Sequence, residues 1–128
     1  MNNTRNQPSA RKFWSWFIPL GRETGGWAFA LNRITALGLT LYLFMHLVVL
    51  GLLAQGPGAY DEFLKLTENP FIKLGEWAVV AAAILHGLNG IRIILTSFGV
   101  AVTHQRQLFY IFMAVAAVVI LFFTARMY

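Results

Sequence analysis

The stretch Ile84–Leu95, with the sequence ILHGLNGIRIIL, decides how the rest of the chain is interpreted. It is an apolar run interrupted by a histidine, an asparagine, two glycines and an arginine. It lies inside a segment that is long enough to cross a lipid bilayer. An ionisable side chain at membrane depth is costly and is by default a functional-site hypothesis. The sequence therefore predicts a membrane helix that carries a site.

One face of this helix has the features of a cofactor site. His86, Asn89 and Gly90 stand at i, i+3 and i+4 and so share a face. A flat macrocycle with an iron at its centre needs a ligating nitrogen, and the missing side chain at Gly90 lets a ring lie close to the backbone. Arg92 lies on a different face, where it could meet an anionic propionate or a quinone oxygen. The alternative, which helix physics leaves open, is that His86 only hydrogen-bonds a neighbouring helix and that the small residues mark helix packing.

The composition is that of a small membrane protein. The 128 residues are 58% hydrophobic and 12% charged, whereas a soluble domain has about 25% charged residues. The absence of cysteine excludes disulfides, thiolate metal sites and thiol nucleophiles. The net charge of +5 comes from cations clustered at one end, which indicates membrane topology and not a nucleic-acid partner.

The predicted fold is an all-α membrane protein with three transmembrane helices. The spans are expected at about residues 27–54, 70–97 and 108–125. Asn69 and Pro70 are typical of a helix start, as N-cap and first helical residue. The acidic stretch 59–68 is expected to form a short interfacial helix or an ordered loop. Residues 1–26 are basic and aromatic and are predicted to be an N-terminal interfacial segment, followed by the membrane domain at 27–128.

The cations also predict the orientation. Four of them precede the first span, at Arg5, Arg11, Lys12 and Arg22. The positive-inside rule then places the N-terminus and the link after the second span in the cytoplasm, or in a mitochondrial matrix, and the C-terminus outside.

A second histidine, His46, lies well inside the first span. If Arg33 and Arg92 lie near one level, a rise of 1.5 Å per residue puts His46 and His86 roughly 10 Å apart in depth. Two axial ligands of one haem must be nearly level with its iron. We therefore expect that each histidine binds its own haem, with the opposite ligand from another chain, or that only one is a ligand. Judged from its neighbours alone, His46 is equally well explained as a packed, hydrogen-bonded residue.

The segment 86–92, HGLNGIR, resembles the helix-two signature of the cytochrome b (membrane-anchor) subunit of succinate dehydrogenase and fumarate reductase. In that family a histidine is followed by Gly-Ile-Arg. The resemblance extends to the segment 31–35, LNRIT, at the start of the first span, and to three spans with a proline-led second helix. It covers most of the chain from about Trp27 onward.

The resemblance implies a cofactor and three partner subunits. It implies that His86 is an axial ligand of haem b, with Asn89, Gly90 and Arg92 beside the haem. A second small anchor subunit would supply the opposite histidine, and a flavoprotein and an iron–sulfur subunit would sit against the inner face of an energy-transducing membrane. Electrons from succinate would reach a membrane quinone, and this chain would contribute no catalytic residue to succinate oxidation.

The residues expected to contact the quinone lie in the first span. Arg33 matches the family's helix-one arginine, which is associated with the quinone pocket and the haem propionates. Phe29 and Asn32 depart from the family, in which many members have serine and histidine there. Quinone contacts are expected from Trp27, Asn32, Arg33 and Thr35. Other members have an additional histidine midway along helix one, a place that His46 fits, so two haems shared with the partner anchor are expected.

Two other classes of function remain as alternatives. A purely structural anchor without haem would make both His46 and His86 replaceable. A small transporter or channel subunit would need polar residues along several helices, and the third predicted span has no Asp, Glu, Lys, Arg or His. Succinate oxidation and fumarate reduction are not distinguished by this chain, because the direction depends on the quinone potential and on the other subunits.

Overall fold

The fold is known from a computed structural model that describes residues 24–128. Four α-helices follow one another: α1 (Thr24–Leu53), α2 (Pro57–Leu66), α3 (Pro70–Ser97) and α4 (Gln105–Met127). A short 3-10 turn at Val102–His104 precedes α4, and no strand occurs in residues 24–128. The predicted N-terminal interfacial segment lies almost wholly outside the described residues.

Three of the segments are long and apolar enough to cross a membrane: Gly25–Leu53, Pro70–Ser97 and Val102–Met127. The predicted all-α fold with three spans is thereby confirmed. The second span has the predicted bounds, whereas the first begins slightly earlier and the third is longer at both ends. The helix of the third span, α4, begins earlier than predicted because Gln105, Arg106 and Gln107 are good helix formers, so the helix extends beyond the apolar run.

The connection between the first two spans is ordered by its local sequence. Pro57 begins α2 at a position where its missing N–H costs nothing. Of the two alternatives for the acidic stretch, a short helix or an ordered loop, the structure has the helix. Asn69 then caps α3, since its Oδ1 accepts a hydrogen bond of 2.9 Å from the amide of Phe71, with Pro70 at the first helical position.

The far end of α3 closes with a glycine turn. Gly99 has a φ of +80°, a conformation that side chains disfavour. Its amide donates to the carbonyl of Thr96, and the amide of Val100 donates to the carbonyl of Leu95. This pair of bonds is the Schellman arrangement, which satisfies the last carbonyls of a helix. Ala101, with a φ of 53°, then turns the chain toward α4.

The central helix of the bundle is α3, which packs against both α1 and α4, while α2 packs on α1. Among residues 24–128, the buried apolar residues are alanines: Ala28, Ala30, Ala81 and Ala116. Small side chains let helix backbones approach closely, which is a main source of attraction between membrane helices. Large apolar side chains point outward instead, as in Val48, which is 71% exposed. Such a surface suits lipid or the helices of another subunit.

A side-chain hydrogen bond joins α3 to α4. Trp77 Nε1 donates to Thr124 Oγ1 at 2.7 Å, and the same hydroxyl donates to the carbonyl of Ile120 at 2.7 Å. Both polar side chains therefore have partners inside the bundle.

Replacing Trp77 by Phe is expected to lower the free energy of unfolding by about 1 kcal/mol, because hydrogen bonds between membrane helices contribute energies of that order. The measurement is denaturation of the purified protein in detergent. A double-mutant cycle with Thr124→Val separates the bond from the loss of ring volume. Strictly additive effects of the two substitutions would show that the bond adds nothing.

Candidate functional site

His86 faces α1 from the middle of α3, and its hydrogen bonds fix its tautomer. Its Nδ1 lies 3.2 Å from the backbone oxygen of Asn32 and 3.2 Å from Thr35 Oγ1. A carbonyl oxygen can only accept, so a hydrogen bond between His86 and Asn32 assigns the proton of the neutral ring to Nδ1. The other nitrogen, Nε2, then carries a lone pair, which is what a metal ion binds.

Thr35 is buried and completes this arrangement. Its hydroxyl donates to the carbonyl of Leu31 at 2.8 Å, with a longer contact of 3.1 Å to the carbonyl of Asn32. With its proton directed at its own helix, Oγ1 has a lone pair left to accept from His86. His86 thus does bond a neighbouring helix. Metal-ligating histidines commonly hold their second nitrogen in the same way, so this bond fits both a structural and a ligand role.

One turn along α3, Asn89 is fully buried and links α1 to an arginine. Its Nδ2 donates to the carbonyl of Ala28 at 2.9 Å, and its Oδ1 accepts from Arg92 Nε at 3.0 Å. The carbonyl requires a donor and the guanidinium requires an acceptor, so these partners determine the orientation of the amide. The result is a connected polar pair at the α1–α3 contact.

Arg92 is buried, with 8% of its surface exposed. Its guanidinium carbon lies 5.7 Å over the ring of Phe109 in α4. Its partners in the described part of the chain are thus an amide oxygen and an aromatic ring, and neither carries a negative charge. A guanidinium at membrane depth is expensive without an anion, so its positive charge is available to an anionic group from outside the chain.

Arg33 is half-buried on α1 and has an aromatic partner of its own. Its guanidinium carbon lies 4.2 Å over the ring of Phe29, one turn earlier in the same helix. Trp27 lies about two turns before Thr35 and is 52% exposed. The structure brings His86 together with Asn32 and Thr35, whereas Trp27 lies toward the N-terminal end of α1.

The bonds of His86 and Asn89 fix the register of α1 against α3 and correct one assumption. His86 is level with Asn32 to Thr35, and Asn89 is level with Ala28. Because the two helices run in opposite directions, Arg92 lies about 10 Å nearer the N-terminal end of α1 than Arg33 does. The assumption that the two arginines share a level was therefore wrong, because sequence gives no register between helices.

The corrected register moves the two histidines further apart. His46 follows the His86 level by eleven to fourteen residues of α1, which is about 16 to 21 Å along the helix and not 10 Å. The larger separation excludes a single haem held between His46 and His86.

His46 has a different environment from His86. It is exposed, and its Nδ1 lies 3.3 Å from the phenolic oxygen of Tyr42, with the two rings stacked at 5.4 Å. A phenol can either donate or accept, so this contact does not decide which nitrogen of His46 carries the proton. His46 is thus less completely prepared as a ligand than His86.

Open space lies beside Gly90. A Cβ built there would meet no heavy atom within 4 Å outside its own helix, and the same holds for eight other glycines of the described chain. Packing inside this chain therefore does not require a glycine at this position, and the space could accept a flat group from outside. In residues 24–128, no group of three or more His, Cys, Asp or Glu could hold a metal ion; an axial haem ligand needs only one histidine from each side.

Two functional candidates were missed from the sequence. Glu76 lies within α3 and lines a groove of about 380 Å³ together with Tyr42; the other walls are Val79, Val80, Phe123 and Met127. A carboxylate inside a predicted span was the available signal. The second candidate is Phe29, whose ring lies under the guanidinium of Arg33. The sequence signal for it was an aromatic residue four positions before an arginine on a helix.

The sequence matches one known family over residues 2–125, described as the succinate dehydrogenase/fumarate reductase transmembrane subunit. It is 34% identical over 76 residues, or 59% of this chain, to the succinate dehydrogenase 2 membrane subunit SdhC of Mycobacterium tuberculosis. It is 33% identical over 99 residues, or 77% of this chain, to the succinate dehydrogenase hydrophobic membrane anchor subunit of Halobacterium salinarum. These matches span 56% of the mycobacterial protein and 76% of the halobacterial one.

Replacing Asn89 by Leu is expected to lower the free energy of unfolding by about 3 kcal/mol, because it leaves the buried Nε of Arg92 without its hydrogen-bond acceptor and removes the side-chain bond to the carbonyl of Ala28. Asn89→Asp, which keeps the acceptor for Arg92 but loses the donor to Ala28, should fall in between. Denaturation in detergent measures both. Ser97→Ala is the matched control on the same helix, since this hydroxyl is exposed and bonds only its own helix. A loss in Asn89→Leu no larger than in this control would contradict the assignment.

Proposed function

The chain belongs to the family of succinate dehydrogenase and fumarate reductase transmembrane subunits, and from this we propose that it binds haem b through His86 and helps to form a quinone site. In this role it anchors the soluble subunits and carries electrons, while succinate is oxidised elsewhere in the enzyme. The observation that carries the proposal is the 3.2 Å distance between His86 Nδ1 and the backbone oxygen of Asn32. A proton fixed on Nδ1 by the carbonyl of Asn32 leaves Nε2 as the free ligand atom.

The residues around His86 fit a flat anionic cofactor. Gly90 leaves room on the same face of α3, and Asn89 holds Arg92 in place. Arg92 and Arg33 would meet the propionate groups, whose charges both arginines complement. The haem, when bound, supplies a one-electron carrier between the iron–sulfur subunit and the quinone. The opposite axial histidine would come from a second anchor subunit.

A second haem at His46 is part of the proposal. Its support is the separation of the two histidines, which is large enough for two cofactors at different depths. Unlike the contact of His86 with a carbonyl, the contact of His46 with the Tyr42 hydroxyl is compatible with either tautomer of the imidazole. Two haems at different depths would give electrons a path across the membrane.

The quinone site is proposed near the N-terminal half of α1, with contacts from Trp27, Asn32, Arg33 and Thr35. Reduction of a quinone takes up two protons, so its pocket should lie near a surface and contain polar groups. Asn32 Oδ1 supports this location because it is buried and has no hydrogen-bond partner among the described residues. A buried unpaired amide oxygen costs about 1–3 kcal/mol, and a donor from a quinol or a partner subunit would remove that cost.

The proposed assembly places the N-terminus on the cytoplasmic side and the C-terminus outside. The cations before α1 and Arg106 in the first turn of α4 support this orientation. The iron–sulfur subunit and the flavoprotein would then bind on the cytoplasmic side of an inner or plasma membrane. The same arrangement serves succinate oxidation and fumarate reduction, since both move electrons between the same carriers.

A haem-free structural anchor is the second candidate, and one observation favours it. His86 already has two partners on α1, so it could serve helix packing alone. Counting the haem bound per chain separates the two candidates.

A pyridine-haemochrome assay of the purified complex is expected to give two haems b per copy of this chain. His86→Ala and His46→Ala should each lose one, because each removes one axial ligand. His104→Ala is the matched control, since this exposed histidine lies in the 3-10 turn. One haem, lost only with His86→Ala, would refute the second haem. A wild-type complex without haem would refute the cytochrome and leave a structural anchor.

Thr35→Val is expected to raise the midpoint potential of the haem bound at His86. The substitution removes one acceptor from Nδ1–H, so the imidazole becomes a poorer electron donor and the oxidised iron is less stabilised. A redox titration followed by absorbance measures the shift. Thr40→Val is the control, because its hydroxyl bonds only the carbonyl of Ala36 in its own helix. Equal potentials in both variants would refute the assigned tautomer.

A further inference from the structure

We infer that Glu76 is a positioning residue for His46: its carboxylate accepts a hydrogen bond from the Tyr42 hydroxyl, so that the Tyr42 oxygen accepts from Nδ1 of His46 and Nε2 is left to bind a metal. The inference rests on the proposed function, since it concerns the second haem. It gives a role to a carboxylate inside a membrane span and selects between the two tautomers that the Tyr42 contact alone leaves open.

Tyr42 contacts His46 with both its ring and its hydroxyl. The phenolic oxygen lies 3.3 Å from Nδ1, and the two rings are stacked with their centroids 5.4 Å apart. The residues are four apart on α1 and so lie on the same face. Because Nδ1 is turned toward Tyr42, Nε2 is the nitrogen left for another ligand.

The hydrogen in this contact has two alternative positions with opposite consequences. If Tyr42 donates to Nδ1, the proton of the neutral imidazole lies on Nε2, which then has no lone pair for a metal. If Nδ1–H donates to Tyr42 instead, Nε2 is free, but the phenolic hydrogen needs another acceptor. A third group that accepts from Tyr42 therefore selects the ligand tautomer.

Glu76 is placed to be this third group. It lines a groove of about 380 Å³ together with Tyr42, and the other lining residues are apolar. Glu76 precedes His86 by ten residues on α3, and Tyr42 follows the His86 level by seven to ten residues on α1. Both therefore lie about 10 to 15 Å from His86, toward the same end of the bundle. No direct hydrogen bond joins these two described residues, so a water molecule in the groove completes the connection, as water commonly does between polar groups that are too far apart for direct contact.

A carboxylate suits this role because it accepts hydrogen bonds when ionised and donates none. Its bonds from O–H donors are also stronger than those between neutral groups. Glu76 is exposed and lies only about 9 Å along α3 from Pro70, where a charge costs less than at the bilayer centre. Within residues 24–128 it forms no ion pair with Lys73, three positions earlier, or with another cation. Its oxygens are thus available to accept from Tyr42.

The test uses the intact complex and follows the haem that is missing from His46→Ala. Glu76→Leu removes the acceptor, Glu76→Gln keeps a neutral one, and Tyr42→Phe keeps the stacked ring without the hydroxyl. The double variant Tyr42→Phe/Glu76→Leu separates an effect through Tyr42 from an independent one. Glu68→Gln is the matched control, because it removes one exposed negative charge just before α3 and outside the groove. The measurements are the rate of haem transfer to excess apomyoglobin and the midpoint potential of this haem.

Glu76→Leu is expected to lose this haem about two- to tenfold faster than the wild type, because the released hydroxyl donates to Nδ1 and one hydrogen bond then favours the wrong tautomer. Glu76→Gln should fall in between, and Glu68→Gln should match the wild type. Adding Tyr42→Phe to Glu76→Leu should slow the loss again, since the competing donor is gone. Tyr42→Phe should raise the midpoint potential, because Nδ1–H loses its acceptor, and the double variant should raise it no further.

Equal haem loss in Glu76→Leu and in the double variant would overturn the inference, as would a loss no faster than in Glu68→Gln. Additive shifts of the potential would overturn it too, because they would show that the charge of Glu76 acts on the haem without Tyr42. Haem counts on the same samples distinguish this failure from that of the proposed function. Two haems that do not respond to Glu76 variants refute only the role of Glu76, whereas a single haem that persists in His46→Ala refutes the second haem and this inference with it.

Discussion

The buried amide of Asn89 sets the register on which the rest of the site depends. It donates to a backbone carbonyl of α1 and accepts from Arg92 of its own helix. An amide in an apolar interface must satisfy both its ends, so α1 cannot slide along α3 without leaving polar groups unpaired. Once Asn89 fixes the register, His86 lies beside Asn32 and Thr35. The packing of the two helices and the geometry of the candidate ligand are therefore determined by the same hydrogen bonds.

The two membrane histidines show how the type of partner decides the chemistry of an imidazole. His86 contacts a carbonyl, which accepts only, and its proton position follows. His46 contacts the phenol of Tyr42, which both donates and accepts. Each is a single histidine in an apolar helix, and the sequence distinguishes them only by the neighbours of His86, Asn89 and Gly90. Their partners are different because α1 is covered by α3 near Thr35 but is exposed on nearly all sides around His46.

Much of the fold could be predicted from local sequence, and much of the site could not. The spans follow from hydropathy, and the start of α3 follows from Asn69 and Pro70, because these signals act over a few neighbouring residues. The family could be recognised from the segment HGLNGIR. The level of Arg92 relative to Arg33 could not be predicted, because it depends on which residues of α1 and α3 are in contact.

The aromatic partners of the arginines show a second limit. Phe109 reaches Arg92 from another helix, and no local pattern links residues that are so distant in sequence. Phe29 and Arg33 are neighbours on one helix, so their pairing was open to prediction from spacing. Glu76 was equally visible as an acid within a predicted span. In both cases the physical signal was present in the sequence, whereas the register and the Arg92–Phe109 contact required the assembled bundle.

The main-chain acceptor of His86 has a consequence for the evolution of this subunit. Every residue type at position 32 has a backbone carbonyl, so the orientation of His86 does not depend on which side chain stands there. Position 32 is therefore free to vary with the ligand that the chain must recognise, while the imidazole keeps its direction. In this chain the position holds an asparagine, whose buried Oδ1 has no hydrogen-bond partner among the described residues. The main chain at position 32 thus orients His86, while the side chain at the same position is left for contact with a ligand.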